Sequence, residues 1–347
     1  MKFLPDQIVA RLQTEMQTPD LSGTRYRALK LLGHGGMGTV WLAEDSVLHR
    51  TVALKVLSAE TSSADLAARL IQEAVILARL EHPGIVPVHD AGTLPDGRTF
   101  YCMKYVEGQT LDQHIARLDV RQRLQLLQRI AEPLAFAHSR GIIHRDLKPG
   151  NVMVGAFGEV LIMDWGLAKV MSAAEKSLIA DTDATSTEAA PTRHSSSTVA
   201  SAPQFSSATT AHGTVLGTPG YMAPEQERGE IHLIDQRTDV FGLGALLQYM
   251  LRDRSRNQPK DGTTESVPRP LRAICQRAMA NEMSARYVSV QEMAADIGKY
   301  LDGMPITAYQ ENIFERTVRL LSRNRVAVAL ILAYLFMRML FILFSRR

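Results

Sequence analysis

The sequence predicts an α+β chain built as two lobes, a small strand-rich lobe followed by a larger helical one. Three observations predict it. Up to about residue 103, aliphatic and β-branched runs alternate with glycines and turn residues. A single stretch of helical periodicity interrupts those runs. Beyond Gly108 the apolar spacing becomes helical almost throughout.

The elements follow in order. Residues 5–18 carry Ile8, Val9, Leu12 and Met16 at the spacing of a short amphipathic helix, within an N-terminal extension over 1–24. Residues 27–32, 40–45 and 51–57 read as strands. Residues 64–80 read as the inserted helix, with Leu66, Leu70, Ile71, Ala74, Leu77 and Ala78 on one side. Residues 120–138, 238–251 and 269–280 read as helices of the second lobe. No internal repeat is visible.

Residues 172–214 differ from both lobes: 17 of these 43 positions are Ser or Thr and 10 are Ala. Four large apolar residues, Leu178, Ile179, Val199 and Phe205, bury too little surface to offset the ordering entropy, so this insert is expected to be disordered.

Composition sets the outer limits. The 347 residues are 46% hydrophobic and 22% charged, with a formal net charge of +3, the balance of a globular protein. No stretch outside the C-terminal region is persistently basic, so no nucleic-acid partner is expected. Cys102 and Cys275 match no metal spacing and fit a reducing compartment. Pro5 and Asp6 interrupt the N-terminus where a secretion signal would need its apolar core.

The chemistry-bearing residues begin with Gly33-His34-Gly35-Gly36-Met37-Gly38-Thr39-Val40, placed between two strand patterns. Glycines let a tight turn lie over phosphates and leave backbone N–H groups facing the oxygens. A structural turn or a dinucleotide fingerprint would also use glycines. The dinucleotide motif needs a helix next, whereas residues 39–43 read as a strand. Lys55 then ends an apolar Val52-Ala53-Leu54 run, where a lysine is costly unless paired. Glu73 lies in the inserted helix. His144-Arg145-Asp146-Leu147-Lys148-Pro149-Gly150-Asn151 follows, and after it Met163-Asp164-Trp165-Gly166.

Together these motifs resemble the protein kinases, most of all the bacterial membrane-attached, eukaryotic-like serine/threonine kinases, over residues 25–302. The resemblance implies a bilobal protein-kinase fold that uses ATP and magnesium to phosphorylate Ser/Thr hydroxyls of protein substrates. It implies that Asp146 orients or accepts the substrate proton, that Lys148 steadies the γ-phosphate, and that Lys55, paired with Glu73, holds the α- and β-phosphates. Asn151 and Asp164 are implied as the magnesium ligands. Leu32, Gly33, His34, Gly35, Gly36, Met37, Gly38 and Val40 would cover the nucleotide. Met103 would stand behind the adenine, with Lys104, Tyr105 and Val106 as the hinge. Glu225 paired with Arg286, and Asp239 beneath the catalytic loop, would be structural supports. Lys148 with Thr218 is the serine/threonine combination, unlike the Ala-Ala-Arg of tyrosine kinases. Arg145 stands where aminoglycoside-type kinases usually have Gly. A nucleotide-binding pseudokinase scaffold is the rival reading.

The chain also departs from the family pattern. Trp165 replaces the usual Phe. The activation segment, residues 164–225, is 62 residues long, roughly double the usual length. Residues 252–266 hold no Leu, Ile, Val, Met or Phe, where relatives place a substrate-docking helix. Autophosphorylation is expected in the insert, with Thr209, Thr210 and Thr214 the favoured sites.

Past a basic juxtamembrane segment over 303–325, residues 326–344 read VAVALILAYLFMRMLFILF. As a helix these residues would rise about 28 Å, close to a hydrocarbon core. Arg338, the one charge, could snorkel to the interface or pair within a homodimer. The expectation is a single-pass anchor in the cell membrane, a cytoplasmic kinase domain, and no sensor domain beyond the span.

Overall fold

The structure, a computed structural model, describes residues 18–35, 38–58, 63–171, 218–252, 267–310, 330–331 and 333–339. The helix expected at 5–18 lies outside these residues except for Thr18. The 172–214 insert, with Thr209, Thr210 and Thr214, lies wholly outside them, as do Gly36, Met37 and residues 253–266.

The first lobe is a five-stranded antiparallel sheet in the order β1-β2-β3-β5-β4. Its strands are β1 (Tyr26–Gly35), β2 (Gly38–Asp45), β3 (Arg50–Leu57), β4 (Val88–Thr93) and β5 (Thr99–Lys104). Alternation gives each strand two faces. Val52, Leu54 and Val56 of β3 join Phe100 and Cys102 of β5, with Tyr26 and Trp41, in an outer core. Ala53 and Leu57, with Tyr101 and Met103, face the main core. Helix α1 (Ala64–Arg79) packs on that inner side through Leu70, Ala74 and Leu77. Ser63 starts it by accepting the Leu66 N–H at 3.3 Å.

The second lobe holds α2 (Val120–Ser139), α3 (Gln236–Leu251), α4 (Arg269–Ala278) and α5 (Val290–Leu301). A reciprocal Asp119–Gln122 capping box begins α2. Small strands complete it: β6 (Gly108–Thr110), β8 (Val152–Gly155) and β9 (Val160–Ile162) form one sheet, and β7 (Ile142–Ile143) pairs with β10 (Lys169–Val170). The main core runs without interruption from α1 and β5 into α2, α3 and α5, so it joins the lobes. A parallel bridge between Ile85 and Ile162 adds a backbone link between them. Gly84 beside it has no room for a Cβ, which would lie 2.9 Å from Pro133 Cγ of α2.

The bilobal α+β expectation therefore holds. Among the described residues, no helix is long and apolar enough to cross a membrane. Residues 330–331 and 333–339 are helical, and the rest of the span expected at 326–344 lies outside the described residues.

Candidate active site

Two clusters of polar side chains face each other where the lobes meet. The first is assembled from three elements. Lys55 on β3 donates to both carboxylate oxygens of Glu73 on α1, each at 2.8 Å, and to Asp164 Oδ1 at 3.0 Å. Glu73 is fully buried. Burial pulls the Lys55 ammonium down, yet the Glu73 and Asp164 charges outweigh it and hold its pKa above 10.5. Burial likewise pushes Asp164 up, and Lys55 reverses the balance to leave it below 3.8. This ion pair resolves the cost of placing a lysine on an apolar strand.

The second cluster surrounds Asp146. Its Oδ2 accepts from Lys148 Nζ at 2.7 Å and Asn151 Nδ2 at 3.1 Å, and its Oδ1 accepts from the Thr218 hydroxyl at 3.2 Å. Lys148 also donates to Thr218 Oγ1 at 3.0 Å. Asn151 Nδ2 further binds the Asp146 carbonyl at 2.8 Å, which turns the amide oxygen away from Asp146.

Buried supports hold the loop that carries these residues. Asp239 on α3 accepts the backbone N–H of His144 at 2.8 Å and of Arg145 at 2.9 Å, and meets His138 Nε2 at 2.7 Å. Burial raises the Asp239 pKa, but His138 and the loop amides bring it below 3.8. His144 Nδ1 accepts the Asp146 N–H at 3.2 Å, so its Nε2 is the donor to Met163 O at 3.0 Å. Trp165 is fully buried and meets the His144 ring edge-on at 4.6 Å. The larger aromatic in place of Phe is thus absorbed by the core. Glu225 and Arg286 form a buried bidentate pair, both contacts at 2.8 Å. Arg145 (φ 72°) and Asp164 (φ 60°) occupy left-handed backbone that non-glycine residues seldom adopt.

Of the remaining expected residues, Gly36 and Met37 lie outside the described ones. β1 and β2 pair up to Gly35–Gly38. A Cβ on Gly38 would lie 2.1 Å from Val56 O, so glycine is required there by packing. Among the described residues, no atom lies within 4 Å of a Cβ placed on Gly33, so their packing makes no such demand there. Leu32 and His34 are exposed, Val40 is half-buried against the main core, and Met103 is buried opposite Ala53. Tyr105 is half-buried in the stretch after β5.

Sequence reasoning left three contributors out of the site. Thr218 reads in the sequence only as a specificity mark. Gln226 donates to Arg145 O at 2.7 Å, across 81 residues, with no sequence signal to reveal it. Tyr101 donates to Glu73 Oε1 at 2.8 Å, and strand alternation from Met103 could have found it.

A sheet lobe and a helical lobe, with a lysine–glutamate pair on one side of the cleft and an aspartate–lysine–asparagine loop on the other, define a protein kinase. The protein kinase domain family matches residues 26–305, and this chain belongs to that family. It is similar to the serine/threonine-protein kinase PknD of Protochlamydia amoebophila, with 31% identity over 314 residues, 80% of this chain and 30% of that protein. PknD of Chlamydia felis is 34% identical over 312 residues, 81% of this chain and 31% of that protein. The chain thus spans less than a third of the length of these relatives. Among solved structures, the PknI kinase domain of Mycobacterium tuberculosis matches with a TM-score of 0.53 at 25% identity, covering 81% of this chain and 98% of that one. A double mutant of the same domain gives 0.55 at 26% identity.

Proposed function

We propose that this chain is a serine/threonine protein kinase that transfers the γ-phosphate of ATP to protein Ser/Thr hydroxyls. The observation that carries this reading is the Asp146 carboxylate, whose direction is fixed by Lys148, Asn151 and Thr218. A carboxylate offers about four acceptor positions, and three are taken, so Oδ1 retains one for a substrate hydroxyl. Asp146 orients that hydroxyl and takes its proton as the oxygen bonds to the γ-phosphorus and the bond to the β-phosphate oxygen breaks. Lys148 lies beside the same point with its positive charge. Lys55, steered by Glu73, meets the α- and β-phosphates. Gly33, whose Cβ position meets no atom among the described residues, fits a β1–β2 cover whose backbone approaches phosphate oxygens.

The donor set suits magnesium. Asn151 presents an amide oxygen and Asp164 a half-exposed carboxylate, hard ligands that phosphates and water would complete. Bound there, the ion would neutralise triphosphate charge. Lys55, Asp146, Asn151 and Asp164 standing together disfavour the scaffold alternative. Magnesium-dependent labelling of a generic protein substrate, with mass spectrometry of the product, is the test. ATP binding without incorporation would leave the scaffold reading in its place.

The proposal extends to a kinase domain over 25–302 followed by a membrane anchor over 326–344 that leaves the domain cytoplasmic. Exposed Leu330, Ile331, Leu335, Phe336 and Met339 in the described tail support it. Autophosphorylation at Thr209, Thr210 or Thr214 is proposed from Arg145, whose buried Nε has no hydrogen-bond partner among the described residues and suits a phosphate. Unchanged activation of the triple alanine variant from a dephosphorylated start would refute that assignment.

A further inference from the structure

We infer that Tyr101 is a positioning residue of the phosphate-binding apparatus, acting on Lys55 through Glu73. The inference rests on the ATP-handling role proposed for Lys55. In the β3–β5 register Tyr101 stands directly opposite Lys55, so the two side chains leave the sheet on one face. They converge on one target. Lys55 Nζ reaches Glu73 at 2.8 Å while the Tyr101 hydroxyl donates to Glu73 Oε1, also at 2.8 Å. The Lys55 ammonium stands 5.7 Å from the Tyr101 ring centroid, so the ring faces the cation as its hydroxyl holds the anion.

The surroundings make the arrangement rigid. Tyr101 is 1% exposed and Glu73 is fully buried, so no water competes for their hydrogen bond. A Cβ on Gly166 would lie 3.1 Å from Glu73 Oε2, so the chain next to Asp164 closes on Glu73 from another side. Glu73 therefore sits between β5 and the Asp164-Trp165-Gly166 turn. Movement of α1 away from the sheet must break the Tyr101 bond as well as the lysine pair. Burial, with Glu73 adding to it, keeps the phenol protonated and donating.

A tyrosine buried only for packing would share the burial but would not act through Glu73. A double-mutant cycle in the 347-residue chain separates the two, using Tyr101→Phe, Glu73→Gln and their combination. The readouts are the ATP dissociation constant by calorimetry, kcat and KM for ATP, and thermal stability. Loss of a hydrogen bond to a buried charge should weaken ATP binding and lower kcat/KM in Tyr101→Phe by about tenfold. In the Glu73→Gln background the same change should have less than about a twofold effect, because its target is already altered. A wild-type ATP affinity in Tyr101→Phe, or an equal penalty in both backgrounds, would overturn the inference. Absence of phosphate transfer by the wild type would instead count against the kinase reading, and the cycle would still be decided on ATP affinity.

Discussion

Lys148 Nζ and Thr218 Oγ1 lie 3.0 Å apart although 70 residues separate them in the chain. Both also hold the Asp146 carboxylate, Lys148 on one oxygen and Thr218 on the other. The end of the long activation segment thereby closes a ring of hydrogen bonds around the proposed base. Replacing Thr218 by Val should remove one side of that ring and lower kcat about tenfold. ATP affinity should stay unchanged, and Thr218→Ser should retain most of the rate. Steady-state kinetics on a protein substrate with all three forms is the check.

The buried Glu225–Arg286 pair predicts both a stability loss and a pH dependence. Glu225→Gln leaves the Arg286 charge uncompensated, at a cost of about 3–5 kcal/mol. Burial raises the Glu225 pKa, but the Arg286 hydrogen bonds prevail and set it below 4.5 in the folded protein. Its contribution to stability is therefore complete above the unfolded value and is lost as pH falls through the folded one. Melting temperature should drop as pH decreases below 4.5, and the slope should be shallower in Glu225→Gln. Calorimetry across the acid range measures both.

Asp296 pins the segment that leaves the helical lobe. Its buried carboxylate accepts the Tyr287 hydroxyl at 3.0 Å, the Thr307 hydroxyl at 2.6 Å, the Thr307 N–H at 2.9 Å and the Ala308 N–H at 3.0 Å. A chain ending at residue 303 loses the last three of these contacts and should melt below one ending at 310. Asp296→Ala should cost about 1–3 kcal/mol for each donor left buried and unpaired. Equal melting temperatures for the two truncations would show that the segment is only draped over the surface.

The apolar tail predicts retention of the full chain in membranes after an alkaline carbonate wash, with residues 1–325 soluble. Recovery of the full chain in the soluble fraction would remove the anchor from the account.

Much of this architecture was legible because its chemistry is local in sequence. The 64–80 periodicity anticipated α1, and the apolar run ending at Lys55 anticipated that this lysine needs a partner. One loop carries Asp146, Lys148 and Asn151 as a block. What escaped depends on segments distant in sequence meeting in space. Alternation puts Tyr101 on the face of Met103, but its place opposite Lys55 follows from the β3–β5 register, and Gln226 acquires meaning only once the chain returns to Arg145 O. Asp296 carries no motif, because its partners at 307 and 308 lie past the periodic helix. Helix α5 carries a legible start signal, Ser289 accepting the Glu292 N–H.

The central claim is that Asp146 directs phosphoryl transfer from ATP to a Ser/Thr hydroxyl. Its most direct test is single-turnover labelling with γ-labelled ATP and magnesium, comparing wild type with Asp146→Asn, with ATP affinity measured in parallel. The account predicts equal ATP binding by both, transfer to Ser/Thr by the wild type, and a rate lower by at least about 10²-fold in the variant. Equal transfer by the two proteins, or none by a wild type that binds ATP and magnesium, would contradict it.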